Sequence, residues 1–325
     1  MKLSIITINY NDATGLAKTL KSVADQHIIP DGFLLEHIIV DGGSTDGSVE
    51  VIRDYATVHH TLYTIRWVSE KDKGVYNAMN KGIEIALGQR TVDSFNRSKR
   101  SEDKYAQRST EWENKVGEHY IQILNSGDIL ASSDVLAKMY DFVKRYTVHR
   151  PKAATPYIEN AGIFYGNMIR QRADGTIEGK SGQVPYSLLN YFTSTMNHDC
   201  CWIKRSLFEE YGLYDENLKI VSDWKWFLQA IGLGHVKPVY VDIDMTIFDT
   251  TGISERNLEV RNEERRKVFE DVLPPAVLAD YDKHAFDMHQ MDNLRKHPWA
   301  YKLVWTLERV LNRLDNKNFR KPKNK

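Results

Sequence analysis

The segment from Ser4 to Gly47 constrains the fold more than any other part of the chain. It reads as a strand, a helix and a second strand, followed by an acidic, glycine-rich turn. A parallel strand–helix–strand unit binds ligands at the carboxyl ends of its strands. Polar side chains lie at both ends here, with Thr7 and Asn9 on the first strand and Asp41 on the second. The pattern therefore predicts a binding site at this edge of the sheet.

The turn itself, which runs from Asp41 to Gly47, is not a standard dinucleotide motif. No G-x-G-x-x-G follows the first strand, and no P-loop sequence occurs. We predict a different nucleotide pocket, in which Asp41 and the end of the first strand hold base and ribose. The alternative is a purely structural turn, in which glycines adopt positive φ and Ser44 or Asp46 caps a helix.

Composition excludes several classes of protein. The 325 residues carry 44 basic and 44 acidic side chains, so no overall charge points to a nucleic acid partner. No apolar run approaches the ~18 residues of a membrane span, and the N-terminal residues lead into a strand, so we expect no signal peptide. The two cysteines, Cys200 and Cys201, are adjacent and are expected to be buried free thiols, which fits a cytoplasmic protein.

Strand and helix patterns alternate up to residue 128, which predicts an α/β fold with a mainly parallel central sheet flanked by helices. Thr14 is the predicted N-cap of the first helix. The predicted helices span 14–26, a segment after Asp46, 75–86, 206–211 and 223–231. The predicted later strands span 62–68, 120–124, 163–165 and 239–241.

The chain divides into two predicted regions. Residues 1–250 form the α/β domain, and residues 91–118, rich in charged and small polar side chains, form a surface insertion within it. Residues 251–325 form a helical C-terminal extension that ends in a basic tail.

Further polar motifs follow in a fixed order. They are Asp72-Lys73-Gly74, Asn125-Ser126-Gly127-Asp128 and a downstream segment from Val221 to Phe227. The ordered set, with the stretches SIITINYND, IIVDGGSTDGS, SEKDKGVYNAMNKGI and ILNSGDIL, resembles family 2 inverting glycosyltransferases of the GT-A fold. It is most similar to the bacterial branch that makes capsular, exopolysaccharide or O-antigen chains. The resemblance covers residues 1–250.

The resemblance implies a donor site for a nucleotide sugar, UDP-linked in most such enzymes. By motif position, the nucleotide would contact six residues of this chain: Thr7, Asn9, Asp41, Gly43, Asp72 and Lys73.

The resemblance also implies a divalent cation, Mg²⁺ or Mn²⁺, that neutralises the departing diphosphate. Asp128 is the predicted metal ligand, and Asn125, Ser126 and Gly127 would lie beside the donor diphosphate and sugar. Asn125 and Gly127 occupy positions where the family has acidic residues, so a single carboxylate remains. Taken alone, the four residues also suit a simple turn after a strand.

Asp223 is the predicted catalytic base, which removes a proton from the acceptor hydroxyl. The family commonly has Glu-Asp here, and Ser222 replaces the Glu. The alternative is that Asp223 only stabilises the start of a helix. His198 and Trp224 are predicted acceptor contacts. The alternatives are a loop histidine without a ligand and, for at least two of Trp202, Trp224 and Trp226, packing in the core.

The C-terminal segment 298–314 is dense in apolar residues, and the last nine residues carry five basic side chains and no acidic one. This pattern predicts peripheral contact with the inner face of the cytoplasmic membrane. A helix docked on its own protein and a homodimer contact are the alternatives.

The leading functional prediction is an inverting glycosyltransferase that uses a nucleotide-sugar donor and a saccharide or lipid-linked acceptor in cell-surface polysaccharide biosynthesis. A sugar-nucleotide nucleotidylyltransferase is disfavoured because the first strand lacks the glycine-rich, basic loop of that class. A catalytically inactive binding or scaffold protein is the third reading, since the metal motif is reduced. Transfer of a sugar would indicate the glycosyltransferase, and nucleotide binding without turnover would indicate the binding or scaffold protein.

Overall fold

The computed structural model describes residues 1–26, 32–59, 62–92, 117–148, 161–172, 174–184, 187–250 and 257–318. Most of the predicted insertion 91–118 and the last residues of the basic tail lie outside these ranges. The chain forms two compact units, Met1–Val268 and Phe269–Lys325.

One curled, mixed sheet organises the first unit. Its strands are β1 (Lys2–Asn9), β2 (Leu34–Asp41), β3 (Thr64–Ser69), β4 (His119–Ile123), β5 (Ile129–Leu130), β6 (Ile163–Gln171), β7 (Ile177–Lys180), β8 (Cys201–Lys204) and β9 (Pro238–Asp249). The main path of the sheet runs β3-β2-β1-β4-β8-β6-β9-β5, and β7 pairs with β6.

Helices flank this sheet and form the second unit. They are α1 (Ala13–Ala24), α2 (Ser48–His59), α3 (Val75–Leu87), α4 (Val135–Val148), α5 (Leu188–Thr193), α6 (Arg205–Tyr211), α7 (Ser222–Phe227), α8 (Leu258–Val272), α9 (Pro275–Arg295) and α10 (Pro298–Asn318). A short 3₁₀ turn, His198–Cys200, precedes β8, and a π-helical turn, Leu228–Leu233, follows α7.

The parallel half of the sheet confirms the fold predicted from the sequence. Strands β3, β2, β1 and β4 are parallel neighbours. In this register Asn9 lies opposite Asp41, and Asp41 lies opposite Ser69, so three strands end in one row. The chain after β4 continues beside β1, because the Ser126 amide donates to the Ile8 carbonyl at 3.1 Å.

The second half of the sheet departs from simple alternation. Strand β8 pairs antiparallel with both β4 and β6, whereas β6 and β9 run parallel. The strands predicted at 163–165 and 239–241 are the first parts of β6 and β9, which extend to Gln171 and Asp249. The helix predicted at 223–231 is α7 followed by the π-helical turn.

The start of α1 also differs from the prediction. The helix begins at Ala13, and its N-cap is Asp12, whose carboxylate accepts a hydrogen bond from the Gly15 amide at 2.9 Å. Thr14, the predicted N-cap, is therefore already inside the helix. A carboxylate at the N-cap satisfies an amide that has no partner within the helix, which the Thr14 assignment overlooked.

The core lies between this sheet and its helices. The predicted helix face of Leu16, Leu20 and Val23 is buried, and it packs in one apolar cluster with residues from β1, β2 and β4. All three tryptophans of the second half of the domain are also buried: Trp202, Trp224 and Trp226. The adjacent Cys200 and Cys201 are buried free thiols, as predicted.

The second unit contains the rest of α8, α9 and α10. Helix α10 exposes a stripe of large apolar side chains: Trp299, Leu303, Val304, Trp305, Leu307, Val310, Leu311 and Leu314. Among the described residues, no helix combines the length and the hydropathy needed to cross a bilayer.

The contact between α3 and β1 gives a test of the packing. A Cβ added at Gly82 of α3 would overlap the Ile6 Cγ2 atom of β1, whereas one added at Gly179 of β7 meets no heavy atom within 4 Å. Because the core is closely packed, we expect Gly82→Ala to lower the free energy of unfolding by about 2 kcal/mol.

Urea denaturation, followed by the fluorescence of the buried tryptophans of the first unit, measures this change. Gly179→Ala is the matched control. Equal stability of the two variants would show that α3 does not lie against β1 as described.

Candidate active site

The Asp41 carboxylate joins the ends of the three neighbouring strands. It accepts hydrogen bonds from Asn9 Nδ2 at 2.9 Å, from the Ser69 hydroxyl at 2.6 Å and from the Ser44 hydroxyl at 2.5 Å. The backbone amides of Gly43 and Ser44 donate to it as well. Burial alone would raise the pKa of Asp41, but the hydrogen bonds from Ser44, Ser69 and Asn9 outweigh it and lower the pKa. Asp41 therefore remains an anion that shapes the turn.

The turn after β3 closes over the same edge. The Asp72 Oδ1 atom accepts a hydrogen bond from the Gly74 amide at 2.9 Å. A Cβ at Gly42 would overlap Asp72 Oδ2, so a glycine at position 42 lets this carboxylate lie over the end of β2. Gly43 has a φ of 82°, in the left-handed region that favours glycine. Lys73 is exposed at the tip of the turn.

Thr7 does not reach this edge. Its hydroxyl is buried and lies 3.0 Å from Nε2 of His37, which is itself buried. Burial lowers the pKa of His37 to about 3, so the ring is neutral. Thr7 lies two residues before the strand end, about 7 Å below Asn9. The structure therefore places Asn9, Asp41, Gly43 and Asp72 together and leaves Thr7 in the interior.

The turn after β4 lies next to the start of α1. Gly127 has a φ of 96°, and its amide donates to the Thr19 hydroxyl at 3.0 Å. The Ser126 hydroxyl lies 3.4 Å from Asp12 Oδ2. Asp12 is thus a strand-end carboxylate that sequence reasoning missed. The signal available was its position directly before an amphipathic helix, where Asp is a preferred N-cap.

Asp128, the predicted metal ligand, points into the protein. Its side chain is buried, and Oδ1 accepts a hydrogen bond from the Asp249 amide at 3.2 Å. Burial and the nearby charge of Asp199 raise the pKa of Asp128 well above its usual value. The Asp199 carboxylate accepts a hydrogen bond from the Thr246 hydroxyl at 2.5 Å.

The residues of this turn do not fit a metal centre. Asn125 and Gly127 supply no carboxylate, and Asp128 is buried and hydrogen-bonded to backbone. In the part of the chain that the structure describes, no group of three or more His, Cys, Asp or Glu side chains is placed to hold a metal ion. We therefore assign no step of the chemistry to a metal.

Asp223 lies in the first turn of α7 and is the centre of a second network. The Tyr76 hydroxyl lies 2.8 Å from Asp223 Oδ1, and His198 Nδ1 lies 2.8 Å from Asp223 Oδ2. Both side chains keep a small exposed fraction, 16% for Asp223 and 18% for His198. The second ring nitrogen of His198 lies 3.2 Å from the Asn125 side-chain amide. Asp223 is therefore connected through one imidazole to the turn after β4.

The protonation of this pair follows from its surroundings. Burial alone would raise the pKa of Asp223, but the hydrogen bond and charge of His198 and the Tyr76 hydroxyl lower it. Burial alone would lower the pKa of His198, but the hydrogen bond and charge of Asp223, with the charges of Asp199 and Asp128, raise it to about 9. At neutral pH the pair is an ion pair, and Asp223 is ionised.

Trp224, a predicted acceptor contact, lies in the core. It is buried, its indole nitrogen donates to the Tyr191 carbonyl at 2.9 Å, and the Arg265 guanidinium lies 5.0 Å from its ring centroid. This position agrees with the core alternative, because the side chain lies on the inner face of α7. His198, the other predicted acceptor contact, lies at the site but pairs with Asp223.

Comparison with known proteins identifies the first part of the chain. Residues 4–92 match the model of glycosyl transferase family 2. An uncharacterized glycosyltransferase of Mycobacterium tuberculosis is 26% identical over 253 residues, which cover 77% of this chain and 76% of the relative. A PGL/p-HBAD biosynthesis glycosyltransferase of Mycobacterium bovis is 22% identical over 250 residues, which cover 77% of each protein.

Two solved structures share the fold. S. aureus TarS superposes with a TM-score of 0.54 at 14% identity, over 91% of this chain and 74% of that chain. The mannosyltransferase PcManGT from Pyrobaculum calidifontis, solved with GDP-Man and Mn²⁺, gives a TM-score of 0.53 at 16% identity, over 92% and 72%. The mixed α/β architecture of this chain is thus similar to that of GT-A glycosyltransferases.

The His198–Asp223 pair predicts a specific dependence of stability on pH. The pKa of His198 is about 9 in the folded protein and about 6.5 in an unfolded chain. Its contribution to stability is therefore complete below pH 6.5 and is lost as the pH rises through 9. The shift corresponds to about 3 kcal/mol.

We expect the loss of unfolding free energy in His198→Gln, relative to the wild type, to be about 3 kcal/mol greater at pH 6 than at pH 10. Urea denaturation at a series of pH values measures this difference. His235→Gln, at an exposed histidine, is the control. Wild-type and His198→Gln curves that stay parallel would contradict the ion pair.

Proposed function

We propose that this enzyme, a glycosyltransferase that carries a family 2 domain, transfers one sugar from a nucleoside diphosphate donor to a saccharide or lipid-linked acceptor with inversion at the anomeric carbon. The observation that carries the proposal is the position of Asp223. It is joined through His198 to Asn125, at the same sheet edge that holds Asp41 and Asp72.

The donor nucleotide would lie at the ends of β1, β2 and β3. Asn9 and Asp41 shape this floor, the glycines of the turn keep it open, and Asp72 lies over it. Lys73, exposed beside Asp72 in the same turn, would contact the base or the phosphates. We take UDP as the first donor nucleotide to test, because of the sequence resemblance, and GDP as the second, because the solved neighbour PcManGT holds GDP-Man.

In the proposed reaction the acceptor hydroxyl attacks the anomeric carbon from the face opposite the diphosphate. A bond forms between the acceptor oxygen and that carbon, and the bond from the carbon to the diphosphate oxygen breaks. The nucleoside diphosphate leaves with the electron pair, and Asp223 accepts the hydroxyl proton. The lowered pKa of Asp223 keeps its carboxylate ionised before the reaction, as this role requires.

The acceptor belongs, in our proposal, to the saccharides or glycolipids of a cell surface. Support comes from the sequence resemblance to polysaccharide-forming enzymes and from the M. bovis relative, whose name places it in PGL/p-HBAD biosynthesis. The apolar stripe of α10 and the basic residues that follow it are suited to an anionic inner membrane leaflet, where such acceptors could be reached.

Substitution of the proposed base tests the activity. We expect Asp223→Asn to lower the rate of donor turnover about 10²–10⁴-fold, because the amide cannot accept the hydroxyl proton. Release of free nucleoside diphosphate from a panel of UDP- and GDP-sugars, with water or added sugars as acceptor, measures this rate. The matched control is Asp141→Asn, on the exposed face of α4. Turnover by Asp223→Asn at the wild-type rate would refute the assignment.

Membrane contact has its own test. We expect the full-length protein to float with phosphatidylglycerol vesicles, and the double variant Leu307→Asp, Leu311→Asp to lose at least half of this binding, because charged groups are costly to bury in lipid. The control places the same two charges at two exposed polar positions of α10, in Thr306→Asp with Asn312→Asp. Equal flotation of the two double variants would exclude the apolar stripe as the contact.

A further inference from the structure

His198 occupies a position between two parts of the active site. Its Nδ1 atom lies 2.8 Å from Asp223 Oδ2, and its Nε2 atom lies 3.2 Å from the Asn125 side-chain amide. Tyr76 holds the other oxygen of Asp223, so the ring has a fixed partner on this side. The imidazole is therefore held beside the turn where the donor diphosphate is proposed to bind.

The groups that face this ring are mainly acidic. Asp223 approaches from α7, Asp199 follows His198 in the chain, and Asp128 lies in the turn after β4. The charge of Arg265 in α8 interacts with the Asp223 carboxylate. The carboxylates favour a ring with protons on both nitrogens, and the pKa of about 9 agrees with this.

The amide of Asn125 can partner a cationic ring. Nδ2 of Asn125 lies 3.2 Å from His198 Nε2, while Oδ1 of Asn125 is buried without a hydrogen-bond partner. A half-turn of such an amide exchanges its oxygen and its nitrogen. Oδ1 would then accept a hydrogen bond from a protonated Nε2, and Nδ2 would take the buried position. The contact with Asn125 is therefore compatible with a cationic His198.

The same turn lacks the groups that would hold a divalent cation. Asn125 and Gly127 are uncharged, and the Asp128 carboxylate is buried and bonded to the Asp249 amide. A departing diphosphate nevertheless requires compensation of its negative charge, and a fixed positive charge supplies this without a metal.

We propose that His198, held between Asp223 and Asn125, provides the positive charge at the diphosphate turn, so that donor binding by this chain does not require a divalent cation. This inference rests on the proposed function, because it assigns a residue to the diphosphate end of the same donor site. The Asn125 amide lies between His198 and the proposed diphosphate position, so His198 would not touch the diphosphate directly. It is therefore a positioning residue that also carries charge.

Binding to the full-length protein tests the inference. The probes are UDP and GDP, with uridine and guanosine as the uncharged counterparts, measured by calorimetry in EDTA and in Mn²⁺. We expect the wild type to bind UDP or GDP in EDTA with an affinity within about twofold of that in Mn²⁺. We expect His198→Gln to lower this affinity about tenfold in EDTA and to leave nucleoside affinity unchanged.

His198→Asn is a second uncharged replacement that serves if the Gln variant does not fold, and His235→Gln is the exposed control, which keeps wild-type affinity. Wild-type binding that appears only with Mn²⁺ overturns the inference but supports the proposed function. Equal losses for nucleoside and nucleoside diphosphate in His198→Gln show a purely structural role and also overturn it. No binding of UDP or GDP under either condition overturns the proposed function and the inference with it.

Discussion

The ion pair between Asp223 and His198 is the interaction that assembles the two halves of the site. Asp223 comes from α7, far along the chain, and His198 from the 3₁₀ turn before β8. Tyr76 of α3 and Asn125 after β4 complete the network. Without this pair a carboxylate and an imidazole would be buried without their main partner, which is costly in a protein interior. The position of the proposed base relative to the donor turn therefore depends on a single charged contact.

The parallel strands supply the other half of the geometry. Asp41 receives hydrogen bonds from the ends of β1 and β3 and from Ser44 in its own turn, so these contacts fix the floor of the proposed donor site. Fixed dipoles and charges of this kind need little reorganisation during a reaction. In the proposed reaction, the ends of β1, β2 and β3 would hold the nucleotide, while His198 and Asp223 would act at the diphosphate and the acceptor.

Local sequence patterns predicted the parallel half of the fold well. Strand β2 and the turn after it follow directly from the apolar run before Asp41, and α3 begins at Val75 as its periodicity indicates. The antiparallel pairing of β8 with β4 and β6 could not be predicted from local sequence patterns, because strand order depends on contacts between distant segments. The direction of the Thr7 side chain was not predicted, for a related reason. A polar side chain near a strand end can turn to a neighbouring strand, and here His37 supplies the partner.

The candidate site was predictable as a set of residues but not as a network. Sequence placed Asp223 and His198 among the functional residues and gave them separate roles, because pairing across 25 positions leaves no local signal. The importance of Asp12 was missed, since the N-cap was assigned two residues too late. Trp224 was interpreted from its chemistry, and only the packing of α7 shows that its ring lies in the core.

A crystal structure of the full-length protein with UDP or GDP tests the central claim most directly. The account predicts the nucleoside against the Asp41 turn and Asp72, with the diphosphate beside Asn125 and within reach of the Asp223–His198 pair. A nucleotide bound elsewhere on the chain, or bound with its phosphates directed away from Asn125, would contradict it.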